Sequence, residues 1–419
     1  MFNTGRRWLL FIPVASIMYM LAFCDRTNIS FAMPYIGHEL QLNNSDKGLI
    51  SGIFFIGYIL LQIPAALLAE KWSAKKTIFL LLILWGITSV CTGYVRNLNE
   101  LLIVRFILGV FEGGIQPATL VLMLKWFPQH EKARANGFWL LCIPVSAIVA
   151  APLIGLLLES YNWRTVMIMA GCLPVIWSLV WGLVIADSPE KCWWIKKEES
   201  NYISDSLKKD HEKRINKFSG NNENDNTTTL SSTIFDKKLI QIVLAWFFYC
   251  AGFYGFTMWL PQVISNISGG SSTKVGLMTA LPYLVGLVGM ILISVRTDKK
   301  GLSKLTILAP LALSAIMLFI GQLFNYPGIQ FIFLCLVAAG LYVHGPFFSL
   351  PPVIIKPSKL ALALGLIGGI GNLGGFIGPY LVGWLIDTTG TPLLGFAFMS
   401  AFLLICGILL SMVTPTKSK

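Results

Sequence analysis

Runs of about 20 predominantly apolar residues recur twelve times along this 419-residue chain, and no other feature restricts its fold so strongly. A run of that length and character matches the hydrocarbon thickness of a bilayer. Inside hydrocarbon, backbone N–H and C=O groups find no water, so each run must satisfy them within itself as a helix. The runs fall near 8–36, 47–69, 77–95, 101–126, 136–158, 164–186, 239–264, 274–295, 304–324, 329–350, 361–384 and 392–413, numbered here as spans 1 to 12. Composition agrees: 55% of residues are hydrophobic and only 12% charged, against about a quarter charged in soluble proteins. The expected fold class is an all-α membrane protein with twelve transmembrane helices. The first run has no small-residue cleavage site and leads straight into Asp25-Arg26, so it reads as a retained span and not a signal peptide.

One long polar stretch interrupts the series, residues 187–238. It divides the chain into a six-span bundle at 1–186, a linker, and a second six-span bundle at 239–419. The start of the linker, KCWWIKKEES, reads as an interfacial helix with Trp193 and Trp194 at headgroup level, and NNENDNTTTLSST as flexible linker. With the N-terminus in the cytoplasm, 26 of the 32 Lys and Arg residues fall on the cytoplasmic side. Only Lys47, Arg96, Arg164 and Lys274 fall outside, while Arg26 and Arg105 lie within spans. The positive-inside rule therefore predicts a cell (inner) membrane protein with both termini cytoplasmic. The net charge of +12 is a topology signal facing the bilayer surface and gives no support to nucleic-acid binding.

Several function classes lose support. Eight cysteines show no metal-like spacing, seven of them lie within spans, and the four histidines do not cluster, so no metal site is expected. No phosphate-binding GxxxxGK[ST] loop occurs, so nothing points to ATP. An intramembrane enzyme would need a nucleophile with a base, or clustered ligands, and neither appears. A sensor derived from a transporter would carry a signalling domain, and the longest loop here is a low-complexity one.

The two halves resemble each other. Shifted by 228 residues without a gap, the segment from Gly48 overlays that from Gly276, matching Glu70 with Asp298, Lys71 with Lys299 and Lys76 with Lys304. The same shift places Gly155 on Gly383 and Glu159 on Asp387. Weak similarity at a fixed offset between two six-span halves marks a duplicated transporter. This layout, with an acidic-basic loop after spans 2 and 8, resembles the major facilitator superfamily. The stretch ALLAEKWSAKK (66–76) keeps Leu68, Ala69, Glu70, Lys71 and Lys75 of that superfamily's G-x-L-A-D-R-x-G-R-K loop but neither of its glycines. DRTNISFA (25–32), VRFILGVFEGG (104–114), KWFPQHEKARANG (125–137), DSPEK (187–191), YGFTMWLPQ (254–262) and IGNLGGFIGPYLVGWLID (370–387) are similar to the anion:cation symporters. Within that branch, the chain looks most like bacterial permeases for tartrate, sugar acids, phthalate and 4-hydroxyphenylacetate.

Four charged side chains lie well inside the spans: Asp25 and Arg26 in span 1, Arg105 and Glu112 in span 4. Such residues are costly in lipid and usually line a water-filled path. Arg105 and Glu112 stand two turns apart, ~10.5 Å along one face, while Asp25 and Arg26 diverge by ~100° and can address two different partners. Two readings fit: salt bridges that pin spans 1 and 4 together, or a site in which carboxylates exchange protons and arginines offer a fork to an anion. The resemblance implies proton coupling by Asp25 and Glu112, with the proton as coupling ion and no cofactor, and anion binding by Arg26 and Arg105. It also implies substrate contacts at Tyr58, Ser349 and Asn372, each of which also reads as helix packing or an interhelical hydrogen bond. Among the aromatics of span 7 Tyr254 is the one candidate site residue, and Glu70, Lys71 and Lys75 read as a cytoplasmic gate, although positive-inside anchoring explains the two lysines. The expected activity is proton-coupled symport of a small organic carboxylate by a monomer, with exchange or efflux as alternatives. Span 5 reads FWLLCIPVSAI, without the amide side chain that a many-hydroxyl substrate would use, which favours a smaller or more apolar acid.

Overall fold

In a computed structural model, which describes residues 5–219, 236–300, 303–324, 326–355 and 357–414, every regular element is helical. Among these residues eleven helical runs are long and apolar enough to cross a membrane, and one of them, Asn44–Thr92, holds two of the twelve spans. Spans 2 and 3 meet at Ser73, whose backbone is extended (φ −168°, ψ 122°). Its hydroxyl accepts from the Lys76 N–H at 3.0 Å, capping span 3. Asp187, of the DSPEK stretch after span 6, then closes this corner. It accepts from the Ser73 hydroxyl at 2.5 Å and from the Lys75 N–H at 3.0 Å.

The remaining spans follow the apolar runs with shifted ends. Span 1 covers Arg6–Glu39; span 4 is Leu98–Gly113 continued by Ile115–Trp126; span 5 is Gln129–Leu140 continued by Cys142–Ser160; span 6 is Trp163–Val184. Spans 7, 8 and 9 are Lys237–Ser268, Ser272–Lys300 and Lys304–Gly321. Span 10 is broken into Pro327–Leu341, His344–Ser349 and Pro351–Ile354. Span 11 is Pro357–Asn372 with Gly374–Thr389, and span 12 is Leu393–Val413.

Packing repeats between the halves. Span 2 lies on 4, 3 on 6 and 1 on 5 in the first bundle; 8 lies on 10, 9 on 12 and 7 on 11 in the second. These pairs correspond under the same six-span shift. The close approach of spans 2 and 4 rests on Gly109 and Gly113, four residues apart, where a Cβ would collide with the carbonyl oxygens of Phe54 and Tyr58. The bundles meet chiefly through span 5 against 8 and span 2 against 11.

The linker differs from the sequence expectation. Its helix begins only at Lys197, near the end of the KCWWIKKEES stretch, and runs to Ser219, while a short turn, Pro189–Lys191, lies at the start of that stretch and Trp193 and Trp194 fall outside both. Trp193 is exposed, but Trp194 is buried, stacked 5.5 Å from Trp126 and donating to the Val184 carbonyl at 2.6 Å. Apolar area on Trp126 thus draws one tryptophan inward while its neighbour stays out. The helix is fastened to the first bundle at two helix starts: Glu199 accepts from the Arg6 N–H at 2.9 Å, and Asp210 from the Gln129 N–H at 2.7 Å. Beside them Arg7 Nη2 donates to both oxygens of Glu131, at 3.0 and 2.8 Å. The asparagine-rich segment, 220–235, lies outside the described residues.

Call the end that carries this linker helix the linker end. Among the described residues, hydrogen bonds between the bundles occur at mid-depth (Arg26 to Tyr254) and at the far end. None is found among them at the linker end.

Candidate functional site

Span 1 places Asp25 and Arg26 at mid-depth, and their divergence around the helix decides what each meets. Asp25 turns to span 3. One oxygen accepts from Trp85 Nε1 at 2.8 Å and the other from the Ser89 hydroxyl at 3.0 Å. Trp85 and Ser89 stand four residues apart, on one helix face, and both are buried. Among the described residues Asp25 has no cation within salt-bridge distance, although two arginines lie in the same layer.

Arg26 turns to span 4 and to the second bundle. Its Nε donates to Glu112 Oε1 at 2.5 Å and its Nη1 to the Tyr254 hydroxyl at 3.3 Å. The guanidinium also lies 4.6, 5.3 and 4.8 Å from the ring centres of Phe23, Phe54 and Tyr58, so aromatic faces supply part of the solvation that water would give. Glu112 is 1% exposed, and its second oxygen has no partner among the described residues. Neither has Arg26 Nη2.

Arg105 is 3% exposed and, among the described residues, has no carboxylate within salt-bridge distance and no hydrogen-bond partner. Its guanidinium stands 5.0 Å over the Phe54 ring. Leaving a buried guanidinium without an acceptor is costly unless water or a ligand reaches it. A cavity does: about 60 Å³, between the bundles, with Arg26 and Arg105 on one wall and Tyr254, Thr257 and Tyr342 on the other. The remaining lining mixes four phenylalanines with aliphatic residues and the hydroxyl-bearing Thr27, Ser30, Ser51 and Tyr283, and it includes no amide side chain and neither Asp25 nor Glu112. Two forked cations facing a cavity of aromatic rings and scattered hydroxyls suit a small molecule that carries a carboxylate.

The other expected residues are dispersed. Tyr254 joins the site: its ring packs 4.2 Å from Phe55 and its hydroxyl takes the Arg26 bond across the bundle interface. Tyr58 lies behind the cavity, with its ring against Arg26 and its hydroxyl donating to Gln116 at 3.2 Å. Asn372 faces span 7, accepting from Trp246 Nε1 at 3.3 Å and from the Cys250 thiol at 3.4 Å. Ser349 is exposed and donates to the Pro346 carbonyl of its own short helix at 2.7 Å. Glu70 and Lys71 are exposed in the turn before Ser73, and the backbone of Lys75 is tied to Asp187. None of these three reaches the second bundle among the described residues. Sequence reasoning missed Trp85, Ser89, Gln116 and Phe54. The four-residue spacing of Trp85 and Ser89 was the one available signal, and it reads equally well as core.

Comparison with known proteins fits this architecture. The family model of the Major Facilitator Superfamily matches residues 15–355 and 242–419. The chain is 29% identical over 415 residues to a quinolone resistance transporter of Acinetobacter baumannii, covering 97% of this chain and 93% of that one. It is 29% identical over 424 residues to a putative tartrate transporter of Agrobacterium vitis (97% and 90% covered). A D-galactonate transporter of Escherichia coli O6:H1 is 27% identical over 407 residues (92% and 91% covered). Among solved structures, the xylose transporter XylE from E. coli in an inward open conformation superimposes with a TM-score of 0.75 at 15% identity, covering 98% of this chain and 97% of that one. Twelve helical spans in two matching bundles, a cavity between them and a family match along nearly the whole length identify the chain as a membrane transporter and not an enzyme: it belongs to the major facilitator superfamily.

Proposed function

We propose that this protein imports a small organic carboxylate across the cell (inner) membrane together with protons, by alternating access, as a monomer with both termini in the cytoplasm. One observation carries the reading. Arg105 has no counter-ion among the described residues, and beside it Arg26 is held by a glutamate that keeps one oxygen free. An anion entering the cavity meets Arg105 first. A proton taken up by Glu112 loosens its hold on Arg26 and frees that fork for the same anion.

Charge balance links the two events. Asp25, Arg26, Arg105 and Glu112, all ionised, sum to zero. A lone anion would leave the buried site at −1, which a low-dielectric interior penalises heavily. A proton arriving with it restores zero. Bundle-to-bundle hydrogen bonds at the far end support a form closed on that side. Relatives named for tartrate and D-galactonate support an organic acid as cargo, and a cavity of about 60 Å³ without an amide side chain favours a small one. The quinolone resistance relative favours export as the second reading.

The test is uptake of labelled organic acids into proteoliposomes with and without an imposed pH gradient. Accumulation that requires an acidic exterior supports symport. Accumulation indifferent to the gradient would sink the coupling, and movement only against an acidic exterior would establish export.

A further inference from the structure

At the far end, two carboxylates from opposite bundles make the same contact. Asp387, near the end of span 11, reaches the start of span 2. It accepts from the N–H of Asn44 at 3.1 Å, the Asn44 amide at 2.8 Å, and the N–H and hydroxyl of Ser45, both at 2.6 Å. Glu159, near the end of span 5, reaches the start of span 8 and accepts from the Thr273 N–H at 3.1 Å. The shift of 228 residues relates every member: Glu159 to Asp387, Asn44 to Ser272, Ser45 to Thr273.

Each contact sits beside a pair of glycines that obeys the same shift. A Cβ on Gly48 or Gly383 would strike backbone of the facing helix, at Pro379 and Asn44 respectively. One on Gly155 or Gly276 would do so at Ser272 and Ala151. The glycines bring two helices of different bundles close enough for a carboxylate on one to plug the N-terminus of the other. There it meets unpaired N–H groups and the positive end of the helix dipole.

We propose that Asp387 and Glu159 are paired latches that hold the far end shut, and that both must let go before the cavity opens on that side. The proposal rests on the alternating-access reading above. It makes the two seams unequal: Asp387 makes four contacts, two of them at 2.6 Å, whereas Glu159 makes one backbone contact at 3.1 Å backed by the side chains of Thr273 and Ser271, so the seam between spans 2 and 11 carries more of the hold. Neither residue touches the cavity, so their effect is on the balance of conformations and not on the binding chemistry.

Nitroxide labels on Tyr94→Cys in the first bundle and Tyr326→Cys in the second report far-end separation, both sites being exposed; Cys91 and Cys172 are replaced by Ser. Distances are measured on the full chain in lipid nanodiscs without ligand. Combining Asp387→Asn with Glu159→Gln should lower the ratio of short to long distances roughly tenfold, the loss expected for charge-assisted hydrogen bonds. Asp387→Asn alone should shift it more than Glu159→Gln alone. Gly48→Trp, a wedge in the same seam, should lengthen the distance whatever the carboxylates do. If the wedge lengthens it while the double amide variant keeps the parental distribution, the carboxylates are not latches. A larger effect of Glu159→Gln than of Asp387→Asn would overturn the proposal as well. Should the wedge itself change nothing, the bundles do not part at the far end, and the alternating-access reading falls with the latches.

Discussion

Asp25 and Arg26 are neighbours in the chain, yet they bond to different helices: Asp25 to Trp85 and Ser89 on span 3, Arg26 to Glu112 on span 4. Span 1 thus joins two carboxylates of different kinds, its own Asp25 and the Glu112 of span 4. Glu112 is half satisfied and paired with a cation; Asp25 is satisfied on both oxygens by neutral donors. Their replacements should therefore behave differently.

Glu112→Gln keeps the shape of the side chain and removes its charge. The prediction is loss of pH-driven accumulation, with substrate-for-substrate exchange retained in part because both arginines remain. Counterflow and gradient-driven uptake in the same proteoliposomes separate the two. Full accumulation in this variant would make Glu112 structural.

Arg105→Lys preserves charge but not the planar fork. Because no described protein group is bonded to Arg105, the variant should fold as well as the parent, and thermal unfolding in detergent should not move. Carboxylate affinity by calorimetry should fall by roughly tenfold or more, since one ammonium cannot replace a bidentate contact. Parental affinity would remove Arg105 from the site.

Trp85→Phe takes a buried donor from Asp25 and shortens a fully buried side chain, so a cavity cost adds to the lost bond. Losing a hydrogen bond to a charged group costs about 1.5–3 kcal/mol, read as a lowered unfolding midpoint. Asp25→Asn should cost less, because its amide can still accept from Trp85 and donate to the Ser89 hydroxyl. The reverse order would mean that the tryptophan packs without holding the carboxylate.

Orientation has its own test. Cysteines at Asn97 and Tyr326, both exposed at the far end, should react with an impermeant maleimide from outside intact cells, whereas one at Asn222 in the linker should not. Asn44 is a poorer reporter than its loop position suggests, because it is engaged by Asp387. Labelling of Asn222 from outside would invert the topology.

Much of this arrangement is legible in the residues because single-residue energetics dictate it. Long apolar runs must be helices, charges inside them must be functional or paired, and the offset of 228 residues already matches Glu159 with Asp387. Pairing is another matter, because it depends on which helix face meets which neighbour. Asp25 satisfied by a tryptophan and a serine instead of an arginine, or Asn372 turned to Trp246 and Cys250, depends on tertiary packing. The break in span 10 does have a signal, Gly345-Pro346 and Pro351-Pro352, but the exposure it gives Ser349 depends on packing. Trp194 misleads for a related reason: a tryptophan between polar residues looks interfacial until Trp126 is known to lie beneath it.

The zero sum of the four buried charges has an electrical consequence. A carrier whose site stays neutral when one monoanion and one proton are bound moves no net charge as it turns over, so membrane voltage neither drives nor opposes that step. A dianion in the same cavity would bring one charge too many. Its transport would produce a current, unless a second proton finds Asp25 and silences it. For a substrate of known charge, whether current accompanies uptake thus reads out how many protons the two acids carry.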